Sequence, residues 1–327
     1  MKPIMTAKDA ADFLNISQQG INKKIKAKEI PYSKSANRIF FEHEAARELF
    51  DLRLKSLVYA FQIVKGGTGK TAMALNFGLR ASTYGLRVLF IDLDQQGNLT
   101  DLLGLEGDDY SCMLDVVSDE HTRLKDAIVS VMPGVDLVPS NLDNALLEST
   151  LTIKKMRLDR VYRTQIDEIK DEYDLVIIDC PPALGQSNVA AALASDVIIA
   201  PTDPDRNAIK GLSYTYNEIS KVCEEYEHNL STRIILNKFD KRTSLSHDTL
   251  ESLIKHKIYG PILCKSYIGI NQAFPNANAQ GVSIFDGLKD SGAKTDIDLL
   301  VREVLGLDNL IKARKENLEN TNTEAIL

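Results

Sequence analysis

Hydrophobic positions follow a helical spacing in the first 55 residues and a different rhythm after them. Apolar residues recur every three or four positions in residues 4–14, which predicts an amphipathic helix. Ser17 is placed to cap a second helix that turns Ile21 and Ile25 inward. A short run with a polar tip then predicts a hairpin, and a charge-laced pattern predicts a further helix.

From residue 58 onward, short apolar runs alternate with glycine-rich turns and helical stretches. Continuous Val, Ile and Leu runs of this kind indicate buried strands of a parallel sheet with helices on both faces. The end of the chain is polar, which predicts a frayed tail. We therefore expect domains at 1–55 and 56–310, with a tail at 311–327. The runs that predict strands are VYAFQIV from Val58, RVLFID from Arg87, VDLVPS from Val135, YDLVIIDC from Tyr173, DVIIAPT from Asp196 and TRIILNKF from Thr232.

Composition places the chain among ordinary globular proteins. Its 327 residues are 44% hydrophobic and 26% charged, which excludes a disordered chain or a collagen. No apolar run is long enough to span a bilayer, and the first residues lack the apolar stretch of a secretory signal. The four cysteines form no CxxC pair, so we expect reduced thiols in the cytoplasm.

Charge is distributed unevenly. Residues 1–55 hold 11 Lys and Arg against 7 Asp and Glu, a net +4, although the whole chain carries −7. The remaining residues therefore carry −11. A small basic module on an acidic body suggests two separate tasks, and the task of the basic module would involve an anionic partner such as DNA. Lysine-rich helices are equally expected from solubility alone.

A glycine-rich loop stands between the first long strand and the helix after it. The stretch KGGTGKT runs from Lys65 to Thr71, and its glycines let backbone N–H groups turn toward phosphate oxygens. Lys70 is predicted to contact the β- and γ-phosphates and the Thr71 hydroxyl to hold Mg²⁺. The fold class is therefore α/β, a P-loop NTPase with a mostly parallel central sheet flanked by helices. The residues predicted to bind the nucleotide here are Gly66, Gly67, Thr68, Gly69, Lys70, Thr71 and Ala72.

One departure from the common phosphate loop is informative. Val64 stands where the first glycine is usual, and a second lysine, Lys65, follows it. This loop resembles the deviant Walker A motif of the ParA/MinD family of ATPases. The resemblance implies that Lys65 reaches across a dimer to the partner's nucleotide and is catalytic together with Lys70. A cation from a second subunit would couple ATP binding to dimerisation.

Carboxylates follow two of the predicted strands. The stretch IDLDQQGN resembles the DxDPQGN segment of the same family, with Gln95 in place of proline. The resemblance implies that Asp94 positions the attacking water and that Asp92 lies near Mg²⁺. Asp179 ends an apolar strand before two prolines, a Walker B pattern whose carboxylate holds Mg²⁺. The expected cofactors are ATP and Mg²⁺, with Thr71, Asp92 and Asp179 as metal ligands.

The base-binding motif leaves two nucleotides open. Asn237 to Asp240 spells NKFD, which matches the guanine-reading NKxD motif of GTPases. In ParA-like ATPases the asparagine, here Asn237, contacts adenine, and the resemblance implies that Pro201 forms the other wall. The remaining motifs favour ATP.

The N-terminal elements resemble a winged helix-turn-helix of the MerR/excisionase type. The resemblance implies specific DNA binding, but three-helix units also serve as dimerisation modules. The ParA resemblance adds Arg242 as a contact for DNA of any sequence, although a solvated surface cluster is the alternative. The residues expected to face the major groove are Ser17, Gln18, Gln19, Asn22 and Lys23, and those expected on phosphates are Lys34 and Arg38.

The family resemblance implies an ATPase that partitions DNA. ATP would close a homodimer that binds DNA without sequence preference, and a ParB-like centromere-binding partner would stimulate its slow hydrolysis. The expected location is cytoplasmic and nucleoid-associated, without membrane contact, and the N-terminal module would add repression of its own operon. Two alternatives are an ATP-switched transcriptional regulator and a MinD-like membrane-cycling ATPase. The latter needs a basic amphipathic C-terminal helix, which the sequence NLENTNTEAIL lacks.

Overall fold

The N-terminal part contains the predicted helix, turn, helix and hairpin. The computed structural model describes residues 1–105, 110–183 and 185–324. The Ser17 hydroxyl caps the second helix by accepting the backbone N–H of Gly20. The three short strands form an antiparallel sheet in the order β1-β3-β2. The elements are β1 (Met5–Thr6), α1 (Ala7–Leu14), α2 (Gln18–Lys28), β2 (Ser33–Ser35), β3 (Arg38–Phe41) and α3 (His43–Phe50).

A seven-stranded sheet forms the centre of the remaining chain. Its order is β10-β9-β4-β8-β5-β7-β6, and every neighbouring pair is parallel except β7 with β6. The sequence did not predict β6, a short and partly exposed edge strand that a turn at Gly134 folds back onto β7. The strands are β4 (Leu57–Phe61), β5 (Val88–Asp92), β6 (Val129–Met132), β7 (Val135–Val138), β8 (Leu175–Asp179), β9 (Val197–Thr202) and β10 (Ser231–Leu236).

Helices cover both faces of this sheet. None of the helices in the described residues is both long and apolar enough to cross a bilayer. Single 3-10 turns connect several of the elements. The helices are α4 (Lys70–Thr83), α5 (Asn98–Leu102), α6 (Met113–Ser118), α7 (Leu147–Ile153), α8 (Leu158–Val161), α9 (Arg163–Asp167), α10 (Gln186–Ala194), α11 (Ala208–Glu225), α12 (Ser244–Lys255), α13 (Ala273–Ala279), α14 (Gly292–Val304) and α15 (Leu307–Glu324).

Alternate side chains of the central strands pack into two separate hydrophobic cores, one on each face of the sheet. In β5, Val88 and Phe90 join the cluster that contains α4, α14 and α15. Leu89 and Ile91 point the other way, into the cluster with α6, α7, α9 and α10. This two-residue alternation, with both faces buried, is why the strands read as uninterrupted apolar runs in the sequence.

The predicted boundary near residue 55 does not separate two cores. The Phe13 ring of α1 lies 5.3 Å from Phe50 and 4.6 Å from Tyr84 of the α/β part, measured between ring centroids. Beside them the buried Arg80 side chain pairs with Asp298 at 2.7 Å and approaches Asp9 of α1 at 4.0 Å. One hydrophobic cluster therefore runs from the first helix to the P-loop helix.

The start of the predicted tail at 311–327 is helical, and residues 325–327 lie outside the described residues. Residues 307–324 form α15, and Ile311 is buried. The Arg314 guanidinium donates to the Phe50 carbonyl at 2.8 Å, and the Lys315 ammonium donates to the Leu14 carbonyl at 2.8 Å. Phe50 and Leu14 are the last residues of α3 and α1, where carbonyls lack helical partners and cations are favourable. Two polar side chains of this segment thus contact the N-terminal helices.

Candidate functional site

The largest described cavity opens at the carboxyl ends of β4, β5 and β8. Its volume is about 880 Å³, which is ample for a nucleotide. The loop after β4, the loop after β5, the start of α7 and the segment after β8 all contribute to its walls. Six of the residues predicted for catalysis or nucleotide binding line it: Gly67, Gly69, Lys70, Thr71, Ala72 and Asp94.

The phosphate loop delivers its lysine at the first residue of α4. Gly69 precedes the helix with φ +87°, a left-handed conformation that favours glycine. The Lys70 side chain is buried, and burial lowers its pKa, an effect that the carboxylate of Asp179 opposes. A buried cation beside a helix N-terminus is suited to bind a polyanion.

Lys65 lies against carboxylates of its own chain. Its ammonium group donates to Asp203 Oδ1 at 2.6 Å and to Asp205, both in the loop after β9. Burial alone would lower the pKa of Lys65, but the two carboxylates outweigh it and raise the pKa. Since Lys65 does not line the cavity, the cross-dimer role stays a prediction, and the side chain would have to leave these partners to fulfil it.

Asp92 and Asp94 have different surroundings. Asp92 is fully buried, and its Oδ2 accepts the Thr100 backbone N–H at 3.0 Å and the Thr100 hydroxyl at 2.8 Å. Burial raises the pKa of Asp92 to about 7. Asp94 lines the cavity, and its Oδ1 accepts the Gln96 backbone N–H at 3.0 Å. In this structure Asp92 holds the loop that presents Asp94, and its predicted role as a metal ligand stays untested.

Asp179 has the environment that a bound cation would complete. It pairs in register with Asp92 on the neighbouring strand, and neither of its buried carboxylate oxygens has a hydrogen-bond partner in the described structure. Burial, reinforced by the charge of Asp92, raises the pKa of Asp179 well above its ordinary value. The Thr71 hydroxyl lies close enough to favour the ionised form of Asp179, and a buried carboxylate beside a hydroxyl offers the oxygen ligands that Mg²⁺ prefers.

A second cavity of about 350 Å³ adjoins the phosphate loop on its other side. Asn237 lines it as predicted, together with the apolar side chains of Ile270, Phe274 and Pro275. Pro201, predicted to form a wall of the base site, is buried within β9 and lines neither cavity, so that role stays a prediction that the structure does not support. The sequence did not indicate the apolar lining of this cavity, which comes from a loop and helix about 70 residues further along the chain.

The NKFD segment braces the phosphate loop. The Asn237 amide donates to the Thr68 carbonyl at 2.8 Å, and Lys238 Nζ donates to the Gly67 carbonyl at 2.5 Å. Asp240, the residue that would read guanine in a GTPase, instead accepts two bonds from the Arg242 guanidinium at 2.9 and 2.8 Å. These bonds lower the pKa of Asp240 to about 2. Arg242, predicted to contact DNA, therefore has its charge paired in this structure.

The residues predicted to contact DNA lie in two settings. Gln18, Asn22 and Arg38 line a cavity of about 430 Å³ that the loop before α14 closes on one side. The Arg38 guanidinium donates to the Leu288 carbonyl at 2.8 Å across it. The other N-terminal residues of the predicted set lie outside this cavity, and all of the set are exposed, so their DNA contacts stay predictions: Ser17, Gln19, Lys23 and Lys34.

Several functional candidates escaped the sequence reasoning. Asp203 and Asp205 follow the strand β9 in the sequence, but nothing local indicates that they meet Lys65. Glu148 lines the main cavity from α7, in a helical stretch where one glutamate resembles any other. Each of these contacts joins segments far apart in the chain, so only the fold brings them together.

A strand, phosphate loop and helix, with carboxylates at the ends of neighbouring parallel strands, is the arrangement of the P-loop nucleoside triphosphatases. A family model described as an AAA domain matches residues 56–232, more than half of the chain. The chain belongs to this family, the ParA/MinD group of P-loop ATPases.

Curated relatives of the chain carry names that refer to cell division, sporulation and chromosome partitioning. It is 28% identical over 305 residues to the cell division protein PomZ of Myxococcus xanthus, covering 93% of each chain. It is 31% identical over 242 residues to the sporulation initiation inhibitor protein Soj of Bacillus subtilis, covering 72% of this chain and 93% of Soj. The chromosome partitioning protein ParA of Caulobacter vibrioides is 30% identical over 255 residues, covering 76% and 93%.

Solved structures confirm the α/β P-loop fold. The ATP complex of a Cyanothece McdA variant superposes with a TM-score of 0.68 at 22% identity, covering 78% of this chain and 98% of McdA. A cobyrinic acid a,c-diamide synthase from Mycobacterium smegmatis, with bound ATP analogue and magnesium, gives 0.65 at 26% identity, covering 77% and 94%. The two predicted cofactors are thus the ones bound in these structural neighbours.

Proposed function

We propose that this protein is an ATPase that dimerises on ATP and partitions DNA. The observation that carries the proposal is that the phosphate-loop residues and Asp94 line one nucleotide-sized cavity in a ParA/MinD family chain. Relatives named for chromosome partitioning, sporulation control and cell division support a role in positioning cargo. ATP is favoured over GTP because Asp240 is held by Arg242 and does not line the base cavity.

Each step of hydrolysis has a residue suited to it. Backbone N–H groups of the loop and the Lys70 ammonium bind the phosphates and withdraw charge as the γ-phosphate leaves. Asp94 orients the attacking water from the opposite wall. Thr71 and Asp179 would hold Mg²⁺, which neutralises phosphate charge when it is bound. We expect slow turnover, because Asp94 is the one carboxylate to which we assign a role in orienting water, whereas Glu148, which also lines the cavity, is bonded to the first turn of α10.

In this proposal, positively charged side chains account for both dimerisation and DNA binding. When ATP is bound in a facing subunit, its triphosphate competes with Asp203 and Asp205 for Lys65. The basic N-terminal module, at net +4, supplies charge for DNA phosphates, and contacts of this kind are tolerant of sequence and sensitive to salt. A ParB-like centromere-binding protein is the expected stimulating partner.

Nucleotide choice and dimerisation test the proposal directly. Fluorescent ATP and GTP analogues are titrated with Mg²⁺, and light scattering then follows the mass of the ATP-saturated protein. We expect preferential ATP binding and an ATP-dependent dimer. Lys70→Ala should weaken ATP binding at least about 100-fold, whereas the surface variant Lys221→Ala should bind normally. Much tighter binding of GTP, or a strictly monomeric ATP complex, would overturn the proposal.

Asp94→Ala separates binding from hydrolysis. Removing the carboxylate should leave ATP affinity within about threefold and reduce kcat at least about 100-fold, because it acts on water and not on the bound phosphates. The variant should therefore accumulate as the ATP dimer. Asp101→Ala, another acid lining the same cavity, serves as the control. Normal hydrolysis by Asp94→Ala would refute the assigned role.

A further inference from the structure

Glu148 joins the two walls of the main cavity that lie opposite the phosphate loop. It is the second residue of α7, and its side chain reaches the start of α10. Its Oε2 accepts the Gln186 backbone N–H at 2.6 Å, and its Oε1 accepts the Ser187 backbone N–H at 3.0 Å. Both donors belong to the first turn of α10, where N–H groups have no helical partner and a negative charge is favourable.

The chain makes room for this contact. A Cβ on Gly185 would lie 2.2 Å from Glu148 Oε1 and 2.4 Å from its carboxyl carbon, far inside van der Waals distance. The carboxylate can therefore approach the helix end only because residue 185 has no side chain. A casual surface contact would not require this clearance.

Residues 181–183, which precede α10, are also held from inside. The buried Asn188 amide donates to the Pro181 carbonyl at 3.0 Å and to the Ala183 carbonyl at 2.6 Å. Asn188 lies one residue beyond the N–H groups that Glu148 accepts. The two side chains thus fix the same helix turn, one through its backbone and the other through the loop that precedes it.

That loop faces the nucleotide cavity. Pro181, Pro182 and Ala183 line it together with Lys70 and Thr71. They follow Asp179, the candidate Mg²⁺ ligand, with Cys180 between. A shift of α10 relative to α7 would therefore move the part of the cavity wall that lies with Lys70 and Thr71 around the predicted phosphate site.

We propose that Glu148 is a positioning residue for ATP hydrolysis, acting through the start of α10 on the loop after Asp179. The proposal rests on the proposed ATPase function. The phosphate loop binds ATP without Glu148, so the loss of Glu148 changes the chemical step and leaves binding almost unchanged. A slower chemical step with nearly unchanged ATP binding distinguishes a positioning residue from one that only stabilises a helix.

Glu303 provides a matched control. Its two carboxylate oxygens accept the backbone N–H groups of Lys265 at 2.7 Å and Ser266 at 2.8 Å. This is the same pair of bonds, made by an equally exposed glutamate at a place that lines neither nucleotide cavity. Glu303→Ala therefore removes equivalent hydrogen bonds without touching the loop after Asp179.

The experiment compares Glu148→Ala, Glu148→Gln and Glu303→Ala in the full-length protein by phosphate release, ATP titration and thermal melting. Glu148→Ala should lower kcat about tenfold and leave KM for ATP within about twofold. Glu148→Gln keeps one acceptor oxygen and should recover part of kcat. Glu303→Ala should lower the melting temperature similarly while kcat stays normal.

Three results would overturn the inference. Normal kcat in both Glu148 variants, while the wild type hydrolyses ATP, would refute Glu148 as a positioning residue and leave the ATPase function standing. Equal losses of kcat in Glu148→Ala and Glu303→Ala would reduce the effect to general stability. Absence of hydrolysis by the wild type would overturn the proposed function and this inference together. If Glu148→Ala does not fold, Glu148→Gln alone decides by the same kcat and KM measurements.

Discussion

His43 is a buried ionisable residue at the seam between α3 and the α/β part. Its Nδ1 lies 2.9 Å from the Ser82 carbonyl, to which it donates, and its Nε2 has no hydrogen-bond partner in the described structure. The ring also lies so close to Gly134 that a Cβ there would be 2.1 Å from it. Burial lowers the pKa of His43, although the Ser82 carbonyl and Glu44 act in the opposite direction.

Stability should therefore fall in mild acid. The folded state holds His43 neutral, whereas the unfolded chain binds a proton near the ordinary histidine pKa of about 6.5. The contribution of His43 to the free energy of unfolding therefore has its full value above that pH. It declines as the pH falls toward the lower pKa of the folded state. Urea unfolding at pH 7.5 and 5.5 should show a smaller decline in His43→Gln than in the wild type.

The exposed His121 supplies the control for this measurement. His121→Gln should keep the pH dependence of the wild type, because the side chain is exposed in the folded protein. An equal decline in wild type and His43→Gln would assign the acid sensitivity to other groups.

At the scale of elements, the phosphate loop and the β9–α11 loop hold each other through Lys65. Its side chain is 28% exposed, and those of Asp203 and Asp205 are 23% and 35% exposed. Ion pairs at such partly exposed sites contribute little net stability, because water and salt screen them. A triphosphate can therefore displace these carboxylates at small cost, as the exchange of partners proposed for Lys65 requires.

The double variant Asp203→Asn/Asp205→Asn tests this exchange. Without the two charges Lys65 is free before ATP arrives, so ATP-dependent dimerisation should occur at about two- to fivefold lower protein concentration. Analytical ultracentrifugation measures the shift. Asp167→Asn breaks a comparable pair with Lys170 at 2.7 Å and should change nothing. An unchanged or weaker dimer in the double variant would contradict the exchange.

Elements whose signal is local were predictable from sequence. The strand–loop–helix around Lys70 is encoded within 27 residues, and the caps at Thr6 and Ser17 need only the next three residues. The lining of the base cavity could not be predicted from sequence, because only the fold brings Phe274 to it. Helix α15 could not be predicted for the same reason. The polar residues Arg314 and Lys315 find their partners only at the ends of α3 and α1.

At the scale of the whole molecule, the N-terminal module and the α/β part share one hydrophobic core. Phe13 is buried between Phe50 and Tyr84, with the Arg302 guanidinium 5.5 Å from its ring centre. Arg80 ties α4 to α1 and α14 through Asp9 and Asp298. Two parts joined in this way should unfold together.

Phe13→Ala should lower the free energy of unfolding by about 3–5 kcal/mol, the usual cost of a cavity left by a buried phenylalanine. Denaturant unfolding followed by fluorescence and circular dichroism should remain a single transition. Tyr32→Ala, which removes an aromatic ring that is 48% exposed, should cost little. Two separate transitions in the wild type would show that the module folds by itself.

The shared core has a practical consequence for anyone who shortens this protein. A fragment starting at residue 56 would lose the cover that Phe13 and Phe50 give to Tyr84, and with it the partners of Arg314 and Lys315. Bare apolar surface of this kind promotes self-association. Oligomers formed by such a fragment would report the artificial cut, so assembly should be studied with both chain ends intact.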